Sequence, residues 1–457
     1  MTTLLSDDAP VVSARPVSER LLPLAWVVLA GLCAVYLVQT RSPLRLKADA
    51  VELLALGASW ADGHGFVING VPSHFPPGLP LTLGVMTRLG ITRSATIILL
   101  NCASLGLGIT FGCLILRDVA RWRGLALVAA ACFMLLSFPA IKHVTLPLSD
   151  IPYFGGSMVA LYAISRVEMG NDAGFSATGA VRALLAVLLV VIAVSLRTVG
   201  VALLPALIWA AVPAPVRRNV WAMFRSGPLA TAGALAGVAL IGAAAAALLI
   251  SRTRYGHEML DVYGQIGATR APLALARWRL GEFSELAVNL PLAKLPHVAW
   301  PIAHTAGAVV MALFLAGLWL RRRDWRAIDV YAVCYAAIFA VWPYSGDARF
   351  WLPLLPLLLL YVCTALSNLL PLAAKRALLV LSALLYVTTG AAMLLYSTRI
   401  SFSGDRFPDL YGSDQTRATY RVAWGQGTTA DAAIADPLMI QMLRRFEPRA
   451  KGGPVVP

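Results

Sequence analysis

Charge is what this sequence has least of. Asp, Glu, Lys and Arg make up 13% of its 457 residues, while 59% are hydrophobic. A soluble chain of this length needs a far more charged surface, so most residues here must face lipid or one another. The six cysteines (Cys33, Cys102, Cys113, Cys132, Cys334, Cys363) all lie inside apolar runs without metal-binding spacing. That sets aside zinc modules and a disulfide framework, and leaves them as small core residues. The six histidines (His64, His74, His143, His257, His297, His304) show no His-x-x-x-His spacing. No metal is expected on that pattern, although a divalent ion at the outer face stays open. No repeat with a period of roughly 20–50 residues is present, nor the inverted hydropathy symmetry of many transporters.

What the sequence has is long apolar runs. Spans are expected at 21–39, 94–116, 124–139, 150–165, 181–195, 198–213, 227–250, 298–320, 327–344, 350–367 and 376–396, near the twenty residues that a hydrocarbon core requires. The fold class is therefore an all-α polytopic membrane protein of about eleven transmembrane helices. Lys and Arg number 38 against 23 acids, a balance that would suit nucleic acid. Most short basic clusters fall between apolar runs, however, as topology signals do, and nucleic acid is not an expected partner. Threading the spans puts Arg117, Arg121, Arg123, Arg166, Arg182, Arg217, Arg218, Arg321-Arg322-Arg323, Lys375 and Arg376 on the side of Arg15 and Arg20. The positive-inside rule makes that side cytoplasmic. Residues 1–20 carry Asp7, Asp8 and Glu19, and no small-residue cleavage site follows the first apolar run, so they read as a cytoplasmic stub.

The opposite face receives 40–93, 251–297 and the tail 398–457, which flank or interrupt a transmembrane module at 21–397. The first has a helical pattern from Ala48 to Trp60, and His74-Phe75-Pro76-Pro77-Gly78 then forces a bend. The apolar 79–90 stretch is too short to cross and is expected along the interface. The tail reads as a small cap with a strand and a helix within 430–446.

Acids and bases close to a membrane have two readings each. Asp49, after Arg45 and Lys47, begins the first outer helix; Asp150, after Ser149 and before Pro152, begins a span. Either carboxylate suits a helix N-terminus by charge alone, and both could instead converge on one outer site. Arg197 and Arg349 lie at outer boundaries, where an arginine commonly snorkels to headgroups. Arg252, Arg254, Arg270, Arg277, Arg279 and Lys294 make 251–297 basic against the positive-inside trend, which suits a phosphate-bearing ligand.

Three stretches of the first outer segment form one signature: Asp49 to Gly57, Asp62-Gly63-His64-Gly65-Phe66, and Phe75-Pro76-Pro77-Gly78-Leu79-Pro80-Leu81. With Leu148-Ser149-Asp150-Ile151-Pro152, Leu196-Arg197-Thr198-Val199-Gly200 and Arg349-Phe350-Trp351-Leu352-Pro353-Leu354-Leu355-Pro356, the chain resembles bacterial GT-C glycosyltransferases. These are relatives of protein O-mannosyltransferases and the lipid A aminoarabinose transferase. The resemblance implies a GT-C-like bundle in a bacterial inner membrane with its site facing the periplasm. It implies Asp49 as catalytic base and Asp150 as its partner. It also implies a polyprenyl-phosphate-linked sugar donor, an envelope lipid, glycan or protein acceptor, and no cofactor. Two departures stand out. Leu53 replaces an aromatic residue frequent in relatives, and Phe75 replaces the lysine that precedes Pro-Pro in the aminoarabinose transferase. Phosphate binding would then pass to Arg254, Arg270 or Arg349, with Arg197, His74 and Lys294 as further substrate-binding candidates. No DxD-like acidic cluster occurs in these segments, in keeping with a monophosphate donor. A transporter or flippase of lipid-linked sugars would share the helices and the basic outer segment, but it predicts broken helices at the midplane.

Overall fold

The computed structural model describes residues 17–73, 75–171, 177–217, 219, 237, 254–267, 269–344 and 348–450. In lipid every backbone N–H and C=O must be satisfied within its own segment, so the apolar runs become helices. The chain opens with α1 (Val17–Val38), then α2 (Ala48–Ala61) and α3 (Gly78–Arg88), which with a short hairpin form what is called here, after its expected side, the first outer segment. It continues through α4 (Ser94–Ala120), α5 (Leu125–Leu135), α6 (Phe138–His143), α7 (Asp150–Asn171), α8 (Ala177–Leu196) and α9 (Leu203–Ala211). The second outer segment holds α10 (Arg254–Ile266) and α11 (Ala271–Val288). Then come α12 (Trp300–Leu320), α13 (Ala327–Ala340), α14 (Leu355–Leu369) and α15 (Leu372–Ser401). The tail forms α16 (Phe407–Leu410), α17 (Asp414–Trp424), α18 (Thr429–Ile434) and α19 (Pro437–Phe446).

Among the described residues six helices are long and apolar enough to cross a membrane: Leu21–Arg41, Ser94–Ala120, Thr178–Leu196, His297–Leu320, Ala348–Leu369 and Leu372–Ser401. The expected spans at 124–139, 198–213 and 327–344 are shorter apolar helices, Leu125–Leu135, Thr198–Ala211 and Ala327–Ala340. The expected 150–165 span is part of the 22-residue α7. The expected 227–250 span falls outside the described residues, apart from residue 237.

The break inside 124–139 has a local cause. Ser137 leaves the helix in an extended conformation, and Pro139 sits in the first turn of α6, where its missing N–H is tolerated. Asn289 satisfies the interrupted backbone. Its side chain accepts from the Phe138 N–H at 2.6 Å and donates to the Leu136 and Tyr386 carbonyls at 2.8 and 3.1 Å.

Two cores result. The larger lies within the bundle and buries Tyr153, Phe154, Tyr331, Tyr335 and Tyr361. The second joins α2 and α3 to the tail through Leu54, Leu83, Phe407, Trp424 and Leu443, and full burial of each such side chain contributes about 1.5–3 kcal/mol. The tail also fastens to the backbone that leads into α2. Tyr420 donates to the Leu44 carbonyl at 2.7 Å and accepts from the Leu46 N–H at 2.9 Å. A cap is thus present, but no strand lies in 430–446: both turns carry capping residues, Thr428 and Asp436, and fold as α18 and α19.

A group of arginines pairs with acids at one end of the bundle. Glu168, near the end of α7, pairs with Arg217 at 3.3 Å, and Asp329 at the start of α13 pairs with Arg321 at 3.0 Å. Asp118, at the end of α4, faces both Arg117 at 2.8 Å and Arg166 at 3.9 Å. The other end of α7 begins with Asp150, about 33 Å away along a helix of 22 residues.

Candidate functional site

At the Asp150 end a cavity of about 430 Å³ opens between the first outer segment and the bundle. Four separate stretches bring charge to it. Asp49 stands in the first turn of α2, Asp150 begins α7, Arg197 follows α8, and Arg349 lies in the 3-10 segment Ala348–Leu354. All four line the cavity.

Their contacts form one chain. Arg349 donates to Asp49 at 2.9 Å and faces Asp150 at 3.8 Å, while Arg197 donates to the other Asp150 oxygen. Both guanidinium groups lie over the Phe350 ring, at 4.8 and 5.0 Å from its centroid, a favourable cation–π arrangement. The two carboxylates differ in access. The Asp150 side chain is 3% exposed and the Asp49 side chain 46%.

The backbone explains why these side chains meet. Gly78 ends the Pro-Pro-Gly bend, and a Cβ there would stand 2.7 Å from the Ser195 carbonyl, so only glycine lets α3 touch the end of α8. That contact holds the first outer segment beside Arg197. Gly200 closes the turn after Arg197: its N–H donates to the Arg197 carbonyl at 2.9 Å, and a Cβ would meet the Val194 Cα at 2.8 Å.

The Arg349 stretch is held by α11 and α13. Tyr335 donates to the Phe350 carbonyl at 2.6 Å. Glu282 accepts from Trp351 Nε1 at 2.7 Å, and Glu285 from the Ala348 N–H at 3.1 Å. Arg279, paired with Glu282 at 3.1 Å, donates to the Tyr344 carbonyl at 2.6 Å and so fixes the Trp342–Tyr344 wall. Burial pushes the Arg279 guanidinium below its ordinary value, and Glu282 opposes that shift.

Of the residues singled out in the sequence, Asp49, Asp150, Arg197 and Arg349 come together. Arg270 and Lys294 are exposed and do not line the cavity. Arg254 begins α10, but its side chain is outside the described structure, as is His74. The second outer segment therefore serves the site chiefly through buried Arg279 and Glu282 and half-buried Glu285.

Sequence reading missed Glu52, Phe339, Trp342, Tyr344 and the Phe350 platform, all cavity-lining. Glu52 had a signal, since three residues after Asp49 puts it on the same helix face. Trp342 and Tyr344 looked like the end of a span. Among the described residues no three His, Cys, Asp or Glu side chains gather as a metal-ligand set.

Chemically the cavity offers a half-exposed carboxylate, two guanidinium groups anchored on a buried acid, and an aromatic wall. It suits a polar ligand carrying an anionic group next to a proton to be removed. No protein-family model matches this chain, and no curated protein matches it.

Proposed function

We propose that the chain is an integral-membrane glycosyltransferase of the GT-C type. It moves one sugar from a polyprenyl-phosphate donor to a hydroxyl of an envelope lipid, glycan or protein, with inversion. The cavity faces away from the arginine-rich end, on the extracytoplasmic side of a bacterial inner membrane. The observation that carries the reading is the meeting of Asp49, Asp150, Arg197 and Arg349 in one cavity from four distant stretches.

Asp49 is the base, because it alone of the two paired acids is open to an incoming hydroxyl. It takes the acceptor proton as the new bond forms between the acceptor oxygen and the anomeric carbon. The bond from that carbon to the phosphate oxygen breaks on the opposite face, and the polyprenyl phosphate leaves as an anion. Arg349 and Arg197 receive that charge; guanidinium forks match phosphate oxygens in geometry as well as sign. Carboxylate charge near the anomeric carbon stabilises its oxocarbenium character. Asp150 is a positioning residue, holding both arginines from beneath. The donor phosphate competes with Asp49 for Arg349, so donor binding itself loosens the base from its salt bridge.

Mass spectrometry of envelope lipids and glycans tests this, comparing cells with the intact protein, without it, and with Asp49→Asn at matched expression. The expected result is that one sugar disappears from an acceptor in both defective strains while polyprenyl-phosphate sugar accumulates. If Asp49→Asn behaves as the intact protein does, Asp49 is a helix-terminal carboxylate only, and transport of lipid-linked sugars becomes the better reading.

A further inference from the structure

A second cavity lies between α1, α4 and α5, as an apolar groove of about 620 Å³. It exists because α1 packs chiefly against α5 and touches α4 little. Leu22 and Trp26 mark one end of the groove and Leu37 the other, roughly 22 Å apart along the helix. Gly106 opens on it, with no neighbouring atom within 4 Å of where a Cβ would stand.

The Leu22 end runs into a polar recess of about 520 Å³ that shares Arg117, Gly124 and Leu127 with the groove and adds Asp118, Arg121 and Arg123. Arg117 is answered by Asp118, which also faces Arg166. Arg121 and Arg123 make no ion pair with any described residue. Arg121 also closes α4 in the left-handed conformation, at φ 57°, a position that glycine fills without strain. The recess therefore combines two positive charges that no described residue answers, one of them on strained backbone, with a greasy channel of lipid-chain length.

We propose that this groove binds one anionic phospholipid, its acyl chain along α1 and α4 and its phosphate between Arg121 and Arg123. A zwitterionic lipid fills the channel equally well but leaves the recess positive, so the arginines supply the preference for net negative charge. The site stands apart from the transfer cavity and does not rest on the transferase reading; it needs only that α1 and α4 lie in lipid.

Native mass spectrometry of the whole protein in detergent, titrated with phosphatidylglycerol or phosphatidylcholine, tests it. The intact protein should retain one phosphatidylglycerol in preference to phosphatidylcholine. Arg121→Gln with Arg123→Gln should weaken that retention by about five-fold per arginine. Arg121→Gly removes the charge while relaxing the backbone, so weaker retention there is not a folding defect. Gly106→Trp should block the channel and abolish retention of both lipids with every arginine in place. Equal retention of the two lipids by the intact protein overturns the proposal. So does unchanged phosphatidylglycerol binding in the double variant, or a co-purifying polyprenyl phosphate in place of phospholipid.

Discussion

The two ends of the bundle use the same ionic chemistry to different effect. At the arginine-rich end Asp329 is 0% exposed and takes a bond from Arg321, the Arg326 N–H at 2.8 Å and the Tyr361 hydroxyl at 2.9 Å. Its oxygens are answered from three directions, and it stitches α12, α13 and α14 together. At the cavity end Asp49 has one side-chain partner among the described residues, Arg349, and is 46% exposed. A buried acid with every oxygen answered is structural, whereas an acid held from one side is available for exchange. Access distinguishes the two, because both are ion pairs of ordinary length.

The difference can be pressed by substitution. The largest expected effect is on rate: Asp49→Asn should slow the proposed sugar transfer by about 10²–10⁴-fold. Its thermal unfolding in detergent should shift only by the roughly 0–1 kcal/mol of an exposed pair. Asp329→Asn should do the reverse, with a stability loss of about 3–5 kcal/mol and normal turnover per folded molecule. Comparable rate losses in the two variants would erase the distinction. Asp150→Asn tests the case between, since Asp150 is buried like Asp329 yet lines the cavity. It should lose stability on that same order, about 3–5 kcal/mol, and affinity for the proposed donor as well, because both arginines lose their anchor. Phe350→Leu removes the ring beneath the two guanidinium groups and should raise the donor KM by a free energy of about 0.5–2 kcal/mol, leaving the pH profile unchanged.

The smallest effect concerns the cap. Arg445 donates to both Asp62 oxygens at 2.7 and 2.8 Å, and this bonding holds the Asp62 carboxyl below its ordinary 3.8. The folded protein therefore binds that proton less tightly than the unfolded chain does. The contribution of the pair is complete above about 3.8 and is lost as pH falls through the lower folded value. Proteolysis of the tail should accelerate slightly over that acid range in the intact protein and not in Asp62→Asn.

Much of this organisation was legible in the sequence, and its limits have physical causes. Asp49, Asp150, Arg197 and Arg349 stood out because charge at the end of an apolar run is costly and asks for a reason. Their convergence was not legible, since it depends on Gly78 meeting Ser195 more than a hundred residues later. Arg270 and Lys294 were attractive by charge alone, yet charge does not tell which face of a helix looks inward. Arg279, in the same stretch, is the buried one because Glu282 follows one helical turn later. Hydropathy overestimated the spans at 124–139 and 327–344, where Pro139 starts a new helix and Trp342 to Tyr344 turn out to wall the cavity. The tail's docking depends on Tyr420 and Trp424 reaching back to residues 44–54, a contact with no local signal.

The first outer segment is fastened at both ends, at Asp49 by Arg349 and at Gly78 by the end of α8. Between them lies a two-residue hairpin, Val67–Ile68 paired with Val71–Pro72, whose tip is Asn69-Gly70 at φ 51° and 78°. That pair is favoured in tight hairpin turns, and both residues are exposed. Extra sequence spliced between Asn69 and Gly70 has nowhere to go but outward, since neither anchor need move. An epitope inserted there would leave the cavity intact and give an antibody a handle on this face. Labelling before and after the cells are opened would then read the sidedness of the membrane from intact, working protein.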